Sequence, residues 1–382
     1  MLPEESLNQP DQPNMSVNQT TISIARGEHE KQAIYRLYYE TYIEEFGYLF
    51  PANHENRTLI DQLDETARHY AVKDNCGNLI GTYRINRFCE LSAPAEQLTP
   101  LPVTELLNRA PREALSYTSR LMVRKEWRGS PLLAKMADHF ATELVKHGIR
   151  FDTCISLPHL VAFYEQLGYQ RYAERGIDHN ARLEFPMAMA VQNKHHFLRT
   201  RSLLSRNQAI TKCVDHWGDG QWLRQLIQPW GTNHRLMGVG EFWSIAGDAL
   251  LGRDATAGGL FRDLSQDRAK RILKRLPILD IKAGDQILHA GLHQENLFVV
   301  LQGEFTAKQT QKGTSQQSKP LEAGDHFGSQ EFLRPDIGKF DVIAKRDSKI
   351  IVLDQAFIKK TRKNDPEAAD IIINNINQQE II

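Results

Sequence analysis

Phe151-Asp152-Thr153-Cys154-Ile155-Ser156-Leu157-Pro158-His159-Leu160-Val161-Ala162-Phe163-Tyr164-Glu165-Gln166-Leu167-Gly168-Tyr169 changes its period halfway along. Phe151, Thr153, Ile155 and Leu157 alternate with the period of two that a strand requires. A helix then opens at Pro158, where a proline suits a first turn, and closes near Leu167-Gly168, where glycine suits a helix end. The preceding stretch repeats the pattern. Leu121-Met122-Val123 reads as a strand, and Ser130 followed by Pro131 supplies a helix cap and a first-turn proline. Leu133, Met136, Ala137, Phe140 and Leu144 recur at helical spacing up to Gly148. Strand, helix, strand, helix is the order of an α/β unit. Further back, Tyr70 to Val72 and Leu79 to Ile85 are strand-like runs joined by Asp74-Asn75-Cys76-Gly77-Asn78, a hairpin connection.

This alternation runs from about Ile22 to Ala190, and the 382 residues leave room for two or three compact units. The expected division is a disordered tail at 1–20, an α/β domain at 21–195, a helical connecting region at 196–257 and a third unit at 258–382. Met1 to Thr20 is rich in Asn, Gln, Pro and Ser and lacks the basic and apolar stretches of a secretory signal. From about Leu260 a helix over Leu264 to Leu276 is followed by short strands punctuated by Gly284, Gly291, Gly303, Gly313, Gly324 and Gly328. Such punctuation predicts an antiparallel barrel or jelly roll. One last helix is expected from Asp354 to Gln378.

Forty-seven basic and 47 acidic residues give no net charge, which excludes a chain that grips nucleic acid over its whole surface. No run approaches the roughly 20 apolar residues that span a bilayer. Cys76, Cys89, Cys154 and Cys213 lie far apart, without CxxC or histidine at ligand spacing, so packed thiols, no metal and a reducing cytoplasmic setting are expected. Phe197 to Arg206 mixes basic and apolar residues; it is expected to pack on the first domain, with peripheral contact to a lipid surface or a partner as the alternative.

Arg120-Leu121-Met122-Val123, Trp127-Arg128-Gly129 and the stretch Pro158 to Tyr169 resemble the core of a GNAT-fold acyltransferase. More narrowly, Tyr35 to Tyr42, Glu44 to Tyr48, Asp61 with Asp64, and Gly81 to Ile85 are similar to the branch containing autoinducer synthases and N-acyl amino acid synthases. That resemblance covers some 160 residues and implies transfer of a fatty acyl chain from a thioester, usually on acyl carrier protein, to an amine. No permanent cofactor is implied; acyl carrier protein with its phosphopantetheine, or acyl-CoA, is the donor substrate.

The family holds its donor at a glycine-rich helix N-terminus, where free N–H groups and the helix dipole favour an anion. Val123, Arg124, Arg128, Gly129 and Ser130 occupy that place. Two glycines expected after Gly129 are Pro131 and Leu133. Proline removes a donor and leucine restricts close approach, so a phosphopantetheine arm with one phosphate fits better than the pyrophosphate of coenzyme A. From Arg120 to Arg150 seven bases face three acids, an excess of four that would steer an acidic carrier protein if the bases share a face. In the resemblance, Tyr164 holds the position of a phenol that protonates the departing thiolate. Asp61, Asp64, Arg84 and Arg120 match the branch's charged network beside the acceptor. Tyr38 and Tyr48 stand where an arginine and a tryptophan are expected, and Tyr117-Thr118 replace the glutamate region before Ser119-Arg120. These departures argue against homoserine-lactone synthesis and for an amino acid or related small amine as acceptor.

Lys282 to Ile287, Leu297 to Glu304 and Leu321 to Gly328 resemble a cyclic-nucleotide-binding domain. In that family a glutamate after Phe-Gly takes the ribose and a later arginine takes the cyclic phosphate. Here those places hold Ser329 after Gly328, and Gly338 with Lys339 adjacent, while Glu331 stands nearby. Lysine lacks the forked contact of arginine, so a degenerate module used for homodimerisation or docking is expected. The alternatives are a cyclic-AMP-regulated protein lysine acetyltransferase using acetyl-CoA, and a sensor or scaffold on an inactive transferase fold.

Overall fold

The computed structural model describes residues 17–173, 176–178, 182–227, 233–252, 259–273, 276–309, 318–333 and 336–378, without the side chains of 178, 330, 331 and 336. An eight-stranded sheet organises the first part. Its strands are β1 (Thr21–Ile24), β2 (Arg68–Lys73), β3 (Leu79–Arg87), β4 (Leu115–Val123), β5 (Phe151–Ser156), β6 (Gln170–Arg171), β7 (Ile177–Asp178) and β8 (Leu183–Ala190). They pair in the order β1-β2-β3-β4-β5-β8-β6, with β7 on β8. The pairs are antiparallel except β4 with β5, whose crossover contains the helix Leu132–Lys146.

Local chemistry sets these elements. The β2–β3 turn is built on Asp74, whose Oδ1 accepts from the N–H groups of Cys76 at 2.9 Å and Asn78 at 2.8 Å. Met136, Ala137, Phe140, Ala141 and Leu144 of the long helix are fully buried on one face of the sheet, each large apolar side chain contributing about 1.5–3 kcal/mol by burial. Ser130 caps that helix from just outside, its Oγ accepting from the N–H of Leu132 at 3.3 Å.

The connecting region is helical and packed. Leu223 and Ile227 of the helix Trp217–Ile227 join Phe151, Tyr117 and Leu115 in the core on the other face of the sheet. Asp219 of the same helix receives Arg109 and Arg150. Phe197 is buried beneath Gly168, and Ser202 Oγ donates to Leu167 O at 2.7 Å. The 197–206 segment is therefore anchored to the first domain as expected, although Leu198 and Leu203 remain exposed. No described helix is long and apolar enough to cross a membrane.

The C-terminal part is an antiparallel jelly roll of two four-stranded sheets and a short two-stranded one. Its interior is filled by Phe298, Phe305 and Phe327, all buried, with Phe298 stacked on Phe327 at 5.1 Å. The two domains touch where β8 meets the strand Gln286–Leu288. Glu165, fully buried, accepts from His234 N at 2.9 Å and from Arg171 Nε at 3.3 Å, while Arg171 Nη1 donates to Ile278 O at 3.0 Å.

Three expectations need correction. The last helix is two, Gln355–Asn364 and Pro366–Gln378, because Pro366 cannot continue a helix and Asp365 turns instead to Arg268. The helix expected over 264–276 spans only Gln266–Ile272, capped by Ser265. Cys76 and Cys89 are exposed, not packed, since each lies in a polar turn.

Gly168 has φ +115°, and a Cβ there would lie 2.3 Å from Phe197 Cε1. Gly168→Ala is expected to destabilise the protein by about 2 kcal/mol or more, read as a lower urea midpoint.

Candidate active site

β4 and β5 pair only from Leu115 with Phe151 to Tyr117 with Thr153. β4 nevertheless continues to Val123 and β5 to Ser156. Beyond Tyr117 the two strands part, so main-chain groups face a gap instead of a ladder partner. Such a slot suits a thioester carbonyl that needs preorganised N–H donors. On the other side of β4 the pairing with β3 slips, and Arg120 with Leu121 oppose the single residue Tyr83. Arg120 has φ +55° at this bulge. A bulge re-aims a side chain, and here it turns Arg120 toward Asp61.

Arg84 of β3 is fully buried. Its Nη1 donates to Asp61 Oδ1 and Asp64 Oδ1, both at 2.6 Å, and its Nε donates to Ser119 Oγ at 2.9 Å. Arg120 Nη2 donates to the other Asp61 oxygen at 2.8 Å. Asp61 and Asp64 frame a 3-10 turn, each carboxylate accepting from main-chain N–H groups of that turn. Burial alone would raise the Asp61 pKa, but Arg84 and Arg120 hold it well below the usual carboxylate range. Arg120 also lies over the rings of Tyr38, Tyr42 and Phe50, at 5.3, 4.8 and 5.3 Å. The four charged residues singled out in the sequence thus form one cluster. Ser119, His69, which contacts Asp64 at 3.6 Å, and the aromatic wall were not singled out.

Tyr164 lies half-buried on the helix Val161–Leu167, its ring against Phe163 and Tyr169. Burial, then the nearby Cys154, Tyr42 and Tyr117, push its phenol pKa far up. The phenol therefore keeps its proton. Cys154 and Tyr117 are on the two parting strands, which puts Tyr164 beside the gap. Asp152, at the root of the gap, was missed by the sequence reading. It is fully buried and accepts from Ser116, Thr118 at 3.0 Å and Tyr169, yet burial raises its pKa to about 7.

The donor-loop residues are placed together where β4 meets the long helix. Val123 is buried; Arg128, with its Nε on Val123 O, forks onto both oxygens of Glu45 at 2.6 Å. Arg124 pairs with Glu40 at 3.0 Å. Gly129 has φ +79°. The N–H groups of Arg128, Ser130 and Leu132 are taken by Lys125 O, Trp127 O and Ser130 Oγ, and Pro131 has none. The seven bases between Arg120 and Arg150 are not gathered on one face, although Arg124, Lys125 and Arg128 stay together at the loop. Arg120 is turned inward to Asp61, Lys135 is tied to Val17 O and Thr20, Lys146 pairs with Glu143 and Arg150 with Asp219.

In the jelly roll, Gly328 has φ +81° and a Cβ there would lie 2.5 Å from Asn296 O. Ser329 is buried at the start of the short helix Ser329–Leu333, and Lys339 is exposed. The side chain of Glu331 lies outside the described residues.

Comparison with known proteins places this geometry. Residues 33–192 match the family model of the N-acyl amino acid synthase FeeM. That part of the chain is therefore similar to an acyltransferase domain of this type, and residues 278–365 match the family model of the cyclic nucleotide-binding domain. Among solved structures, TofI in a ternary complex with an inhibitor and MTA is 14% identical over 50% of this chain and 99% of that one, with a TM-score of 0.38. The AHL synthase LasI is 14% identical over 47% and 93%, at 0.37. A cyclic nucleotide-binding domain from Methylobacillus flagellatus is 14% identical over 37% and 78%, at 0.33. No curated protein matches the chain.

Two outcomes are expected from the acyltransferase domain's charges. Arg84→Leu leaves two carboxylates without their buried cation and is expected to cost about 3–5 kcal/mol, measured by urea unfolding. Asp152 has a folded pKa of about 7, raised above its ordinary value. The folded state therefore holds a proton that the unfolded chain has released, and stability falls as pH rises toward about 7. Asp152→Asn is expected to remove that slope, so melting temperatures of variant and wild type diverge more at pH 8 than at pH 5.

Proposed function

We propose that the acyltransferase domain, residues 21–195, moves a fatty acyl chain from an acyl carrier protein thioester to the amine of an amino acid or related small amine. The observation that carries this reading is a juxtaposition across one strand. On one side of β4 lies the slot beside Tyr164, and on the other lies the Asp61–Arg84–Asp64–Arg120 cluster.

In this reading a neutral amine attacks the thioester carbonyl held in the slot. The carbon–nitrogen bond forms, main-chain donors stabilise the oxyanion, and the carbon–sulfur bond then breaks. The neutral Tyr164 phenol gives its proton to the departing thiolate, and the proton shed by the amine returns to solvent and restores the phenol. Asp61 is held ionised, so it orients the acceptor through charge and hydrogen bonding and does not shuttle protons. Two features favour a phosphopantetheine arm over coenzyme A. Three loop amides are satisfied internally, which leaves a poor cradle for a pyrophosphate. The half-exposed Arg128–Glu45 pair is worth little in water, so a single phosphate can displace Glu45 from it. The same features speak against an acetyl-CoA-dependent lysine acetyltransferase. Ser329 and Gly338 at the places of the expected glutamate and arginine speak against its control by cyclic AMP.

The test is incubation of the purified chain with acyl carrier protein loaded with fatty acids of several lengths and with mixed amino acids, read by mass spectrometry for N-acyl amides. Tyr164→Phe is expected to lower kcat by about 100-fold with KM for the carrier protein and thermal melting unchanged. Acetylated lysines in place of N-acyl amides would reverse the reading.

A further inference from the structure

A half-open cavity lies between the acyltransferase domain and the jelly roll. Phe46, Tyr48 and Arg182 line it from one domain, and Glu295, Asn296 and Phe298 from the other. Its two walls are joined by a hydrogen bond of 3.3 Å between Asn296 Nδ2 and His159 Nδ1. Burial pushes the His159 pKa down to about 4, so the ring is neutral and accepts from the amide.

Two charged side chains in this cavity have no ionic partner among the described residues. Arg182 is partly buried, its guanidinium lies against the rings of Tyr48 and Phe50, and Glu184, whose charge acts on it, stays outside ion-pair distance. Glu295, half-buried on the opposite domain, has no cation in reach, and the two do not pair with each other. An arginine and a glutamate left unpaired on facing walls offer one partner to each end of a ligand that carries both charges. The cavity is also coupled to the charged cluster by shared rings. Phe50 packs on both Arg182 and Arg120, and Tyr48 touches Tyr42, which lies over Arg120.

We infer that this interdomain cavity binds a free amino acid as its zwitterion, with the carboxylate on Arg182 and the ammonium on Glu295, so that the C-terminal domain supplies half of the acceptor's site. A guanidinium fork matches a carboxylate, and Phe46, Tyr48 and Phe298 offer the ligand's side chain an aromatic wall. The inference rests on the amine-acylating reading for the identification of the ligand as acceptor, but the binding site stands on the cavity and its charges.

The full-length chain is titrated calorimetrically with each of the protein amino acids. For the best binder, the amide lacking the carboxylate and the acid lacking the amine are titrated in parallel. Both truncated analogues are expected to bind about 10- to 100-fold more weakly. Arg182→Gln is expected to abolish the preference for acid over amide, Glu295→Gln the preference for the amine-bearing form, and Arg182→Lys to retain part of the first. Circular dichroism melts confirm that each variant is folded. Absence of binding by any amino acid, or analogue preferences unchanged in both glutamine variants, overturns the site. Amino acid binding without any N-acyl amide overturns the acyl transfer and keeps the site, whereas N-acylation indifferent to Arg182 and Glu295 does the reverse.

Discussion

A guanidinium withdrawn from water must be neutralised, and Arg84 is the point at which the acyltransferase domain meets that requirement. Its position on a central strand forces Asp61 and Asp64 to approach from the loop after the first helix, and Ser119 from β4. The turn that carries the two carboxylates is itself held by them, since each carboxylate also accepts from the main chain. Arg120 can add its charge only because the bulge in β4 turns it out of the strand alternation. The same strand must lean away from β5 to leave the slot. Ion cluster, bulge and slot are therefore three consequences of one strand's path.

The regular elements were legible wherever a period was strong. The long helix and the strand before Pro158 are set by apolar spacing, and the β2–β3 hairpin by Asp74 and its neighbours. The charged residues were legible only through family resemblance, because nothing in their linear order brings Asp61 to Arg84 across 23 positions. Asp152, His69 and Arg182 escaped notice because each gains its character from burial, which a single chain does not display. The basic excess between Arg120 and Arg150 misled for the same reason: the carboxylates that pair with Arg120, Arg124, Arg128 and Arg150 lie outside that segment. The last helix was read as one because apolar spacing continues through Pro366, while the proline's missing donor breaks the backbone ladder.

The jelly roll keeps the outline of a nucleotide-binding module but fills its interior with rings. Phe298, Phe305 and Phe327 are buried there in ring contact, and Phe298 also reaches the cavity at the domain boundary. On its surface, Glu295 and Asn296 are polar residues that face the acyltransferase domain across that cavity.

Glu165 comes directly after Tyr164 on the same short helix, and its carboxylate is gripped by His234 from the connecting region and by Arg171, which in turn holds the main chain at Ile278. A seven-residue helix has little rigidity of its own. The Tyr164 phenol is thus positioned in part by chain that lies beyond its own sheet. Polypeptide on the C-terminal side of the first domain serves as a brace for that helix; fusion of the two modules is, in mechanical terms, a splint and not a mere tether.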